Sequence, residues 1–214
     1  SDRHTIYRGI KNSLPVILKI LNKEYPSQKE LNDFASEYHI LQSLASHRIV
    51  KAISLEKIEN TLGIIFADIG GKALYKTSVL QYSLSQKIEL FIKAVEGLQT
   101  IHDAELMHRD IKIHNIILNE ETGDLQIIDF GTASRLTKQN TFISLHQSVE
   151  GTLAYISPEQ TGRMNRTVDY RTDFYSLGIT FYQIFTGKVP FFFPDPLELI
   201  HAHIAKTPIP PVDI

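Results

Sequence analysis

The chain has 214 residues, 43% of them apolar, with 22 basic against 24 acidic side chains and a formal net charge of −2. A chain of this size buries roughly 70% of the surface its unfolded form exposes, enough for one large domain or two lobes around a common core. The charge gives no electrostatic footprint for nucleic acid or anionic membrane, no apolar run approaches the roughly 18–20 residues of a membrane span, and zero cysteines exclude a disulfide scaffold and thiolate chemistry. Ser1-Asp2-Arg3-His4 is no signal peptide, so a cytoplasmic location is the expectation.

In chain order, residues 5–9 and 15–21 predict two strands joined by a turn at Lys11-Asn12-Ser13. The second strand is apolar on both sides of one lysine, Lys19. A buried lysine is costly unless an anion meets it. It is either an edge-strand lysine reaching back to water, or a phosphate ligand held by a carboxylate. Ser27-Gln-Lys-Glu30 after Pro26 is a capping box, so a helix should begin near residue 28. Leu31, Phe34, Tyr38, Leu41 and Leu44 form its apolar stripe, and Glu37 borders that stripe where it can turn inward to Lys19. Glu30 is the weaker rival for that pairing. Residues 49–58 and 62–67 predict two more strands around Glu59-Asn60-Thr61, and Asp68-Ile69-Gly70-Gly71 then breaks the apolar run. That break reads as a hinge between a strand-rich small lobe (1–67) and a helical large lobe (72–214), or as an ordinary strand-to-helix loop.

Ser83-Leu-Ser-Gln86 caps a long helix whose expected core stripe is Ile88, Phe91, Ile92, Val95, Leu98 and Ile101. The helix runs into Leu106-Met-His-Arg-Asp-Ile-Lys-Ile-His-Asn115, a polar loop followed by the apolar triplet Ile116-Ile-Leu118. Asp110, Lys112 and Asn115 bring a carboxylate, an ammonium and an amide to one loop. Those groups can take a proton from a hydroxyl, hold a phosphoryl oxygen and coordinate a divalent cation. A hairpin over 116–119 and 125–128, with Gly123-Asp124 in its turn, delivers Asp129-Phe130-Gly131. Asp110 is the candidate base and Asp129 the candidate metal ligand.

From Thr132 to Ile156 the chain is polar and aperiodic, the mark of a functional or disordered loop. It holds Thr141, Ser144, Ser148 and Thr152, whose phosphorylation could be answered by Arg109 and Arg135. Asp173-Phe-Tyr-Ser-Leu-Gly178 opens an apolar helix through Phe185, stopped by Gly187 and Pro190. Asp195-Pro-Leu-Glu198 caps another, carrying His201 and His203 in different directions and therefore no metal site.

These pieces together resemble a eukaryotic-type serine/threonine protein kinase domain: Val16-Ile-Leu-Lys19, Glu37, Gly70-Gly71, His108-Arg-Asp-Ile-Lys112 with Asn115, Asp129-Phe-Gly131, Gly151-Thr152, Ser157-Pro-Glu159 and Asp173 to Gly178, in family order. Glu150 to Arg166 further resembles the N-terminal kinase module of large, cyanobacterial-type bacterial hybrid kinases, where an ATPase module, a sensor and a histidine kinase follow. The resemblance implies an α+β, bilobal, kinase-like fold that uses ATP and Mg²⁺ on a protein Ser or Thr. Lys19 would hold the α- and β-phosphates with Glu37 fixing it. Asp110 would be the base, with Lys112 on the γ-phosphate and Thr152 bridging the two. Asn115 and Asp129 would bind Mg²⁺. Ile17 and Ile117 would sandwich the purine beside a gatekeeper, Phe66. Asp173 would bond catalytic-loop amides, and His108, Phe130 and Leu41 would stack as a spine.

The chain departs from the family at four places. No Gly-rich phosphate loop precedes Gly9, and the chain stops near Ile214, so truncation at both ends is expected and the arginine that normally meets Glu159 is missing. Ile17 is bulkier than the usual small residue, and Ile113-His114 replaces a Pro-x pair. The rival expectation is a catalytically weak or inactive nucleotide-binding module within a multidomain sensor. A small-molecule phosphotransferase should lack the Gly-Thr-x-x-Tyr-x-Ser-Pro-Glu stretch found here.

Overall fold

The computed structural model describes residues 4–135 and 153–214. Strands β1 (His4–Lys11) and β2 (Leu14–Leu21) form a tight hairpin whose turn residues Asn12 and Ser13 both have positive φ, 51° and 65°, the primed-turn geometry that matches strand twist. Helix α1 (Gln28–Gln42) follows. Both halves of its Ser27/Glu30 capping box form, a device worth about 1 kcal/mol. Phe34, Glu37 and Leu41 are its buried residues, with Leu31, Tyr38 and Leu44 packed partly against the core. Strands β3 (Ala52–Ile58) and β4 (Thr61–Ala67) complete a four-stranded antiparallel sheet ordered β1-β2-β4-β3. β2 is therefore an interior strand, which removes the edge-strand reading of Lys19.

Beyond residue 68 the structure is mainly helical. A short strand β5 (Lys72–Ala73) and helix α2 (Leu84–Asp103) lead to β6 (Leu106–Met107), β7 (Ile116–Leu118) and β8 (Leu125–Ile127). β5, β7 and β8 make a three-stranded sheet. The polar stretch after Gly131 begins with order not expected from its composition: β9 (Ser134–Arg135) pairs antiparallel with β6. Helix α3 (Arg171–Thr186) starts two residues before Asp173 and ends at Gly187, whose φ of 81° takes the left-handed cap. Helix α4 (Pro196–Ala205) starts at the Asp195 cap, with Asp195 accepting from Leu197 and Glu198 amides.

One buried apolar cluster runs from Leu21, Phe34 and Ile64 in the sheet-rich part through Leu98, Ile116 and Phe130 to Ile184 in the helical part. The segment before β3 stitches the two together, since Ile127 N–H donates to Arg48 and Val50 N–H donates to Ile127. The expected core stripe of α2 needs correction. Ile88, Phe91, Ile92 and Val95 are exposed, and the buried face is Lys87, Leu90, Ala94, Gly97, Leu98 and Ile101. The reason is close packing: a Cβ on Gly97 would lie 2.9 Å from the Ile127 side chain and 3.2 Å from Arg48 Cβ. Gly97 turns inward because β8 passes so near.

Candidate active site

The interior position of β2 puts Lys19 on the sheet face that looks toward α1. Its Nζ lies 2.9 and 2.8 Å from the two Glu37 carboxylate oxygens and 2.8 Å from Asp129 Oδ1. Lys19 is 6% exposed and Glu37 2%, whereas the Asp129 side chain keeps 43% of its surface. Glu30, the rival partner, instead pairs with Lys23 and closes the Ser27 cap. Burial pulls the Lys19 ammonium down, but Asp129 and then Glu37 outweigh it and hold its pKa above the ordinary value. Burial would raise Asp129, and Lys19 reverses that, leaving the carboxylate below its usual range. Glu37 goes the other way: burial pushes it up, opposed by Lys19 and reinforced by Asp129. With all three ionised the cluster carries one net negative charge beside an open edge.

The second cluster lies in the loop between β6 and β7. Lys112 Nζ sits 2.9 and 2.7 Å from the Asp110 oxygens, and Asn115 Nδ2 donates to the Asp110 carbonyl at 2.8 Å and to Oδ2 at 2.9 Å. The loop is held from below by Asp173 on α3, buried completely, which accepts from the amides of His108 at 2.9 Å and Arg109 at 2.7 Å and from His102 Nε2 at 2.9 Å. That anchoring supports a strained backbone, since Arg109 has φ of 69°. Asp129 has φ of 65° in the segment alongside. The two segments touch through His108 Nε2 with the Ile128 carbonyl (3.0 Å), Ile128 N–H to the Asn115 carbonyl (2.9 Å) and Thr132 Oγ1 to the His108 carbonyl (3.0 Å). His108 also meets Phe130 edge-on at 4.8 Å, and both are buried with Leu41 in the main core.

Asn115 turns its amide nitrogen to Asp110, leaving Oδ1 without a hydrogen bond among the described residues, and Asp129 likewise leaves Oδ2 without one. Two hard oxygen donors beside negative charge suit Mg²⁺, which is commonly held by one or two protein oxygens plus water and phosphate. No group of three or more His, Asp or Glu that could hold a metal occurs among the described residues, so any metal here depends on such a sparse site.

Of the residues that the family resemblance assigns to a purine slot, Ile17 pairs directly with Phe66 across β2 and β4, so both share the Lys19 face. Phe66 is buried. Ile117 lies under the 68–71 segment, where Gly71 fits so closely that a Cβ would be 2.5 Å from Ile117 Cγ2 and 2.9 Å from the Leu118 backbone. Thr152 and the hydroxyls of Thr141, Ser144 and Ser148 lie outside the described residues. Three features were missed from sequence: the positive φ at Arg109 and Asp129, the pairing of β9, and an Arg8 contact with the 68–71 segment. None has a local signal, because each depends on distant partners.

The protein kinase domain family matches residues 4–209. A probable serine/threonine-protein kinase of Clostridium perfringens is 32% identical over 204 residues, covering 93% of this chain and 29% of that protein. A serine/threonine-protein kinase of Myxococcus xanthus is 28% identical over 213 residues, 96% of this chain and 25% of its own length. A probable serine/threonine-protein kinase of Corynebacterium efficiens is 35% identical over 130 residues, 61% of this chain and 19% of that protein. The chain thus spans less than a third of the length of these relatives.

Proposed function

The chain belongs to the protein kinase domain family, and we propose that it is a protein serine/threonine kinase that moves the γ-phosphoryl group of Mg²⁺-ATP to a Ser or Thr hydroxyl of a protein. The observation that carries this reading is the Lys19–Glu37–Asp129 cluster, three charges from three separate stretches of chain closing within 2.9 Å. An ammonium fixed this way is positioned for the α- and β-phosphates. Asp110 accepts the proton of the attacking hydroxyl as its oxygen bonds to the γ-phosphorus and the bond to the β-phosphate oxygen breaks, releasing ADP. Lys112, already beside Asp110, offsets charge on the transferred group. Asn115 and Asp129 would hold Mg²⁺, which would supply charge neutralisation of the phosphates. Ile17 and Ile117 take the two faces of the purine, with Phe66 behind it, and residues 68–71 form the hinge between a small lobe (1–67) and a large lobe (72–214). Thr152 belongs to this reading as the link between Asp110 and Lys112. The protein substrate is a partner, as are any neighbouring domains of a larger signalling protein.

The test is transfer of labelled phosphate from ATP, with Asp110→Asn and Asp129→Asn as controls. Transfer by the wild type that both substitutions abolish supports the reading. Stabilisation by Mg²⁺-ATP with no transfer from the wild type would favour a regulatory nucleotide-binding module instead.

A further inference from the structure

The β1–β2 register pairs Ile6 with Lys19 and Arg8 with Ile17, so Arg8 stands on the sheet face that carries the phosphate lysine and the upper wall of the purine slot. From there its side chain crosses to the segment between the sheet and the helices. Arg8 Nε lies 2.6 Å from Asp68 Oδ2, and Nη2 lies 3.2 Å from Asp68 Oδ1 and 3.0 Å from the Gly71 carbonyl. Asp68 is itself braced by the Gly70 amide at 2.8 Å, and its side chain is only 6% exposed, against 56% for Arg8. The Gly71 backbone is the one pressed onto Ile117, the lower wall. A single guanidinium therefore spans from beside Ile17, past the hinge, to a carbonyl beside Ile117.

Most exposed ion pairs contribute little. This one joins a close Nε–Oδ2 ion-pair contact with a nearly buried carboxylate to an Nη2 hydrogen bond with the same carboxylate and another from Nη2 to a backbone carbonyl, charge-assisted bonds of the stronger kind. A lone hinge brace would need only Asp68 and Gly70. The bond to the Gly71 carbonyl ties the upper wall to the lower one across the side of the slot where a nucleotide must leave. The guanidinium stays half hydrated, so the tie can open and re-form.

We infer that Arg8, with Asp68, is a nucleotide-positioning residue that straps the outer mouth of the purine slot and sets how long a bound nucleotide stays. The inference rests on the proposed nucleotide reading of the cleft. It is tested by stopped-flow release of a fluorescent ATP analogue, with Mg²⁺, from the whole chain. Arg8→Ala and Asp68→Asn should each raise the dissociation rate about tenfold, as loss of a charge-assisted pair of roughly 1.4 kcal/mol implies. The double variant should be no faster than either single one, because both remove the same strap. Lys23→Ala, which removes an exposed ion pair with Glu30 elsewhere in the sheet-rich part, should release nucleotide at the wild-type rate. Arg8→Gln, which keeps the aliphatic stem, repeats the test if Arg8→Ala fails to fold. A wild-type release rate in the folded Arg8 variant, or single effects that multiply in the double variant, overturns the strap. A wild-type chain that binds no analogue at all overturns the nucleotide reading, and the strap falls with it.

Discussion

The two lysine–carboxylate clusters of this cleft are built in opposite ways. Lys19 meets Glu37, 18 residues on, and Asp129, 110 residues on, inside a core that leaves its side chain 8% exposed. Lys112 meets Asp110 two residues away in one loop, with 15% and 13% of the side-chain surface still open. The first pair exists only when sheet, α1 and the segment after β8 have all docked, so it reports the fold. The second forms wherever the loop takes its shape, and that shape is enforced from beneath by Asp173. A charge cluster assembled over long range is expected to couple stability to binding, and a local one to act mainly on chemistry.

The sharpest separation comes from substituting each side in turn. Asp110→Asn should lower the transfer rate roughly 10²- to 10⁴-fold, the range for losing a general base, while leaving the thermal midpoint nearly unchanged. Lys19→Met should instead cost roughly 3–5 kcal/mol in urea unfolding near neutral pH, because it strands two carboxylates around a buried site. That cost should shrink on acidification. Without the ammonium, Glu37 is held higher still, the folded state then binds a proton that the unfolded state has released, and stability rises as pH falls. A Lys19→Met loss independent of pH would break the comparison.

A third buried polar group, outside both clusters, sharpens it. His203 on α4 is 4% exposed, with Nδ1 2.8 Å from the Tyr175 hydroxyl, and burial holds its pKa down at about 4 against an ordinary 6.5, only partly opposed by the Leu153 backbone. Above 6.5 both folded and unfolded states are neutral and its contribution is complete. Between 6.5 and about 4 the unfolded state takes up the proton first, so up to about 3 kcal/mol should be lost across that window. His203→Gln should flatten that part of the pH–stability curve, measured by chemical denaturation. The smallest effect belongs to Lys112→Met: Asp110 keeps its Asn115 hydrogen bond, so folding stability should fall by only about 1 kcal/mol while transfer still slows.

How much of this was legible beforehand depended on whether the signal was local. The Ser27/Glu30 box marked the start of α1 within the chain, and placing Glu37 beside the Phe34–Leu41 stripe was enough to nominate it for Lys19. Gly187 and Asp195 marked helix ends for the same reason. In helix α2 the apolar spacing picks out Leu98 and Ile101 correctly, but it places Ile88, Phe91, Ile92 and Val95 on the wrong face. Gly97 faces inward where β8 and Arg48 approach too closely for a Cβ, and Ile88, Phe91 and Ile92 lie on the outer face. The Arg8–Asp68 contact and the backbone strain at Arg109 and Asp129 are set by residues far away in sequence, and no periodicity records them.

The central claim is that the Lys19–Glu37–Asp129 cluster clamps a metal-bound nucleotide. Calorimetric titration of ATP into the wild type and into Asp129→Asn, each with and without Mg²⁺, tests it most directly. The account predicts that Mg²⁺ strengthens ATP binding to the wild type and that this gain disappears in Asp129→Asn. An equal Mg²⁺-dependent gain in both proteins would contradict it.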